Sequence, residues 1–173
     1  VKSKFALALE IAAGPRLNSI VVDDDKTAAN CIKYLKTNKL GHATFLPLSK
    51  MKGPEPIKGA DELEKASGSY GFALDLISYD KMFKNAFWYV LGSTLVVENI
   101  DVARRIGIGR ARMVTIDGDL AESSGAMNGG FRQKRRSLGF KEAALEKGVP
   151  DADVRTVTEN SRTLKFEQYG FEE

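Results

Sequence analysis

Asp117 and Asp119 close an apolar stretch at 112–116, and carboxylates two apart at a strand end can present oxygens to a hard cation such as Mg²⁺. The intervening Gly118 offers another explanation, because Asp-Gly-Asp is also what a tight hairpin turn demands. No nucleophile, general base or further ligand cluster accompanies the pair in the sequence, so turn chemistry is the better account. Nucleophilic catalysis is poorly supplied. Cys31 is the only cysteine and His42 the only histidine, and His42 sits in an apolar segment without an obvious partner for a Ser-His-Asp or Cys-His arrangement. A single cysteine excludes an internal disulfide and a cysteine-based zinc site. Beside Ile32 and Leu35, Cys31 reads as a packing residue. Gly107-Ile108-Gly109 lacks the further glycine and the lysine of a phosphate-cradling loop, and it follows a short helix rather than a strand. It reads as a helix end and turn, and no cofactor is expected.

The 26 basic and 23 acidic residues leave a net charge of +3, too little to argue for nucleic acid as a total. The distribution says more. Arg132, Lys134, Arg135, Arg136 and Lys141 form a run without an acidic residue, flanked by Phe131 and Phe140. Arg104, Arg105, Arg110 and Arg112 form a second acid-free group. Such groups either neutralise phosphates, weakly and without sequence preference, or decorate a solvated loop and a helix end. The first run is the stronger candidate for DNA contact. No apolar run approaches the roughly 20 residues that span a bilayer. The opening residues Val1 to Ala13 carry Lys2, Lys4 and Glu10, unlike a secretory signal, so a cytoplasmic location is expected.

Positioning these residues falls to short elements. Phe5, Ala8, Leu9 and Ala12 have helical spacing over 4–13, and Gly14-Pro15 stops that helix. A strand at 18–22 follows, then Asp23, Asp24 and Asp25 as capping candidates for a helix over 25–36, then a strand over 43–48. Residues 49–71 read as a connector carrying a short helix near 60–65. Beyond it the pattern predicts a strand at 73–77 and a helix over 79–91. Next come a strand over 93–98, a helix at 100–106 capped by Asn99, and a strand over 112–117 whose turn lets Leu120 pair back. The strand–helix–strand logic recurs. Ile20, Val22, Ile32, Leu35, Phe45, Leu74, Phe87, Leu91, Leu95, Val97, Val114 and Ile116 are the expected core.

Three blocks carry a family resemblance. The first is Cys31-Ile32-Lys33-Tyr34-Leu35-Lys36 leading to Gly41-His42-Ala43-Thr44-Phe45-Leu46-Pro47-Leu48. The second is Tyr89-Val90-Leu91-Gly92-Ser93-Thr94-Leu95-Val96-Val97. The third is Val114-Thr115-Ile116-Asp117-Gly118-Asp119-Leu120 followed by Ser124-Gly125-Ala126-Met127-Asn128-Gly129-Gly130. In this order the chain, from about Ala6 to about Phe131, resembles the hinge domain of SMC (structural maintenance of chromosomes) proteins of the prokaryotic type. His42 stands where an arginine usually follows the glycine, and Ser123 where proline is common.

The resemblance implies an α+β fold of two mixed α/β lobes with short sheets and flanking helices, forming a dimer. The expected division is a first lobe with its leading helix at 1–50, a connector at 51–72, a second lobe at 73–140, and a tail at 141–173 without an assigned role. It implies a non-enzymatic module that pairs with a second copy of the same hinge. Coiled-coil arms and an ATPase head would belong to the full-length, nucleoid-associated protein, which condenses and segregates chromosomes. Gly125, Met127, Gly129 and Gly130 would form the dimer interface. Arg132, Lys134, Arg135, Arg136 and Lys141 would contact DNA beside it. The competing readings are a stand-alone nucleic-acid-binding α/β module and a Mg²⁺-dependent enzyme using Asp117 and Asp119.

Overall fold

Local propensity and capping produce two parallel strand–helix–strand units in the computed structural model, which describes residues 3–131. The chain begins with a short 3-10 turn and helix α1 (Ala6–Ala13), ended at Gly14. Strand β1 (Ile20–Val22) then leads into helix α2 (Asp25–Thr37). Of the three consecutive aspartates Asp24 is the cap, its Oδ1 accepting from the Thr27 N–H at 2.7 Å. That bond uses one of the orphan amides of the first turn and holds the Asp24 carboxyl below its ordinary value. Strand β2 (Phe45–Pro47) returns parallel to β1, with Ile20 opposite Phe45.

A connector carrying helix α3 (Ala60–Lys65) reaches the second, larger sheet. Its elements are β3 (Ser69–Phe72), α4 (Lys84–Leu91), β4 (Leu95–Val97), α5 (Ile100–Ile106), β5 (Met113–Thr115), β6 (Leu120–Ala121) and β7 (Met127–Asn128). The spatial order is β3-β4-β5-β6-β7, with β4 and β5 parallel and the remaining neighbours antiparallel. Asn99 caps α5 through a 3.0 Å bond from the Val102 N–H.

The three residues of β4 are all buried because both faces of this sheet are covered. Leu95 and Val97, with Met113 and Phe72, pack against Leu63 of α3 and against Val102, Ala103 and Ile106 of α5. Val96 and Val114 face the other way, onto Phe5, Ala8, Leu9, Ala12 and Ala13 around α1 and onto Leu91 of α4. The leading helix therefore shares the core of the second sheet, not of the first lobe with which the sequence grouped it. Alternation along the strand explains this, since a two-faced sheet needs two layers and α4 alone covers little of the second face.

Other expectations shift in detail. The strand expected at 73–77 lies earlier, at Ser69–Phe72, and Ala73–Leu76 forms a 3-10 turn. The second sheet thus begins inside the stretch read as a connector. The helix expected over 79–91 divides into a 3-10 turn at Lys81–Phe83 and α4. Val22, Leu74, Leu91, Leu95, Val97 and Val114 are buried as expected, whereas Leu35, Phe45, Phe87 and Ile116 are half-buried. Ile20 and Ile32 are exposed, because nothing among the described residues covers that side of the first lobe.

Candidate association site

The far end of the larger sheet is built as a meander. Strand β5 turns at 116–118 into β6, and β6 turns through Glu122–Ala126 into β7. The second turn closes with the Glu122 N–H donating to the Ala126 carbonyl at 2.8 Å and the Gly125 N–H to the Glu122 carbonyl at 2.9 Å. Among the described residues β7 has β6 on one side and no strand on the other, so its outer backbone groups form an open edge, a template on which another chain can pair. Met127 on this strand is 49% exposed, and the residues from Ser123 to Phe131 are exposed throughout.

Asp119 ties this edge to the sheet. Leu120 pairs with Asn128 and Ala121 with Met127, and one further step of that register sets Asp119 across from Gly129. The carboxylate reaches over, Oδ1 accepting from the Gly130 N–H at 3.1 Å. The backbone around it is fixed by Thr115, whose hydroxyl accepts from the Asp119 N–H at 2.9 Å and whose own N–H donates to the Asp119 carbonyl at 2.8 Å. A methyl group at Gly129 would fall on Asp119 Oδ1 and lie 2.8 Å from its Cγ and 3.0 Å from its Cβ. Gly130 has no other described residue close to where its Cβ would stand, but its φ is +132, a backbone setting that side-chain-bearing residues rarely adopt. The adjacent glycines therefore answer two different demands.

Of the sequence-derived residues, Gly125 falls on the β6–β7 turn, Met127 on β7 itself, and the adjacent Gly129 and Gly130 on its exit. Asp117 and Asp119 part company, Asp117 being exposed while Asp119 is spent on hydrogen bonds. Among the described residues no group of three or more His, Cys, Asp or Glu side chains is placed to hold a metal ion. His42 is exposed rather than buried in the segment before β2. Reading Asp-Gly-Asp only as a turn missed the role of Asp119. Counting the register through both hairpins, from Thr115 to Gly129, is the signal that finds it.

The second basic group is engaged within the chain. Arg104 pairs with Asp101 at 3.4 Å, Arg105 donates to the Ser67 carbonyl at 2.6 Å, and Arg110 meets Glu62 at 3.0 Å. Arg112 is the most enclosed of them. Its Nε meets Glu122 at 3.1 Å, and its Nη1 donates at 2.8 Å both to the Ala12 carbonyl, near the end of α1, and to the Thr94 hydroxyl. Thr94 in turn donates to the Leu91 carbonyl at 2.6 Å, at the end of α4. Arg112 thus braces the ends of α1 and α4, while the other three are held by local partners. Arg132, Lys134, Arg135, Arg136 and Lys141 lie outside the described residues.

The first lobe presents a second exposed apolar surface. Within its strand–helix–strand unit only Val22, Ala28 and Leu46 are buried. Ile20, Val21 and Ile32 stay 39%, 41% and 41% exposed. Fold and site together define an α+β association module with one unfinished lobe and one open sheet edge. Residues 1–107 match the family of SMC proteins described as the Flexible Hinge Domain, and the chain belongs to that family.

The relatives agree. The chain is 46% identical over 136 residues to the chromosome partition protein Smc of Gloeobacter violaceus, covering 79% of this chain and 11% of that protein. It is 46% identical over 138 residues to the Smc protein of Methanocaldococcus jannaschii, covering 78% and 11%. It thus spans about a ninth of the curated relatives it matches. Among solved structures it is similar to the SMC hinge domain of Geobacillus stearothermophilus, an asymmetric dimer, with TM-score 0.75, 30% identity and coverage of 98% of this chain and 69% of that one. The Pyrococcus furiosus SMC hinge domain matches with TM-score 0.62, 39% identity and coverage of 82% and 73%.

Proposed function

We propose that this chain is the homodimerising hinge of a chromosome-partition SMC protein. One observation carries the reading: a first lobe that leaves Ile20, Val21 and Ile32 exposed occurs in the same molecule as an exposed β7 edge that no other described strand pairs. A two-stranded sheet with so small a core is marginal by itself in water. A second copy answers both needs. The β7 edge of each protomer extends or covers the first lobe of the other, a reciprocal arrangement that closes without leaving edges to propagate. The hinge of Geobacillus stearothermophilus, similar over nearly this whole chain, is itself described as a dimer.

The role so proposed is architectural rather than catalytic. In the full-length protein this hinge joins coiled-coil arms that lead to an ATPase head, in the cytoplasm at the nucleoid. Among the described residues no helix is long and apolar enough to cross a membrane. Weak, sequence-independent DNA contact is proposed for Arg132, Lys134, Arg135, Arg136 and Lys141, supported by five cations in ten residues without an acid. Reversing the charge of Arg135 and Arg136 removes DNA binding at low salt if that proposal holds. Unchanged binding refutes it.

Solution mass by light scattering tests the hinge itself. The expected result is a dimer, converted to a folded monomer by bulky residues at both Gly129 and Gly130, and likewise by Ile20→Glu on the first lobe. A wild-type monomer at high concentration overturns the proposal.

A further inference from the structure

We propose that Asp119 is the positioning residue of the association edge, and that Gly129 is glycine to make room for Asp119 rather than for a partner chain. The inference rests on the dimerisation reading above. Gly130 leaves the end of β7, beyond the last paired residue Asn128, and the described contact that returns its N–H to the sheet is the 3.1 Å bond to Asp119 Oδ1. Asp119 can act this way because its own backbone is held at both N–H and C=O by Thr115, which is 1% exposed in the core. The Thr115 hydroxyl also lies 3.5 Å from Asp119 Oδ2, on the far side of the carboxylate from Gly130. The carboxylate is thus a short strut between a buried strand and the surface strand that meets the partner.

Gly129 is the clearance for that strut. Any Cβ there clashes with Oδ1 and Cγ, so the carboxylate must swing off and release the Gly130 amide. Even then the two Cβ atoms stand 3.0 Å apart, tighter than ordinary van der Waals contact. A side chain at Gly129 therefore disrupts the edge from inside its own protomer. Gly130 works differently: no described residue lies within 4 Å of an added Cβ, and its constraint is the positive φ.

The test is a mutant cycle on the whole chain, with the dimer dissociation constant read by light scattering over a concentration series. Far-UV circular dichroism and thermal melting of the monomer check the fold. Asp119→Ala removes the acceptor and is expected to weaken the dimer about tenfold or more, since each dimer contains the strut twice. Asp119→Asn keeps an oxygen acceptor and is expected to retain most of the affinity. Gly129→Ala weakens the dimer in the wild-type background. In an Asp119→Gly background, where the obstruction is gone, it is expected to have little further effect.

If Gly129→Ala costs the same affinity with and without Asp119, the methyl group meets the partner and the proposal is overturned. Hydrogen exchange of the Gly130 amide separates this inference from the dimerisation reading. Faster exchange in Asp119→Ala supports the strut whether the chain is a monomer or a dimer, and unchanged exchange refutes it. A monomeric wild type with faster exchange in Asp119→Ala refutes dimerisation and leaves the strut standing.

Discussion

Glycine is an ambiguous letter in a sequence, and Gly129 and Gly130 show why. The first is required by a neighbouring carboxylate and the second by its φ of +132. Replacing Gly130 with alanine is therefore expected to cost on the order of 1–3 kcal/mol through backbone strain, with no relief from any change at Asp119. Urea unfolding of the two backgrounds checks it. Arg112 is similarly ambiguous. Its place in an arginine-rich stretch suggests a phosphate contact, yet its guanidinium holds the Ala12 carbonyl, the Thr94 hydroxyl and Glu122 together. With a side chain only 27% exposed, Arg112→Ala is expected to lower stability by about 1–3 kcal/mol. Arg112→Lys is expected to recover only part of that in the same unfolding measurement, because an ammonium lacks the planar fork that serves three acceptors.

At the scale of elements, the caps were legible and the packing partners were not. Asp24 and Asn99 could be found by type and position, because a cap acts on amides two or three residues away. The Asp24 cap also predicts a pH effect. Its folded value lies below the ordinary 3.8, chiefly through the Thr27 N–H, so its stabilisation is complete above that value and fades as pH falls through the folded value. Asp24→Ala should lower the melting temperature at neutral pH and lose less than wild type does as pH falls below 3.8. Helix α1 illustrates the opposite case. Its spacing marks a helix but not what it covers, and the structure lays Leu9 and Ala8, both 0% exposed, on Val96 and Val114 of the larger sheet. Leu9→Ala is expected to cost about 2–5 kcal/mol, with loss of the larger sheet's cooperativity in thermal unfolding.

For the whole molecule, the two lobes differ in self-sufficiency. The five-stranded sheet has a core on each face, whereas the two-stranded sheet has few buried residues of its own. A second copy that binds only the folded form stabilises it by mass action, so the melting temperature should rise with protein concentration. Ile20→Glu should abolish that dependence while leaving the circular dichroism of the sheet intact. Scanning calorimetry over a hundredfold concentration range checks both statements.

The amino-acid sequence by itself determined the helices, most strands, their caps, the two strand–helix–strand units and the family resemblance. Each of these rests on interactions among near neighbours in the chain, or on short blocks read in order. Tertiary structure alone decided that α1 belongs to the larger sheet, that Ile20 and Ile32 remain uncovered, and that Asp119 stands across from Gly129. These depend on which face of an element meets another far along the chain. Apolar periodicity marks a face as suited to burial, and only the packed fold, or a second copy of it, supplies the surface that buries it.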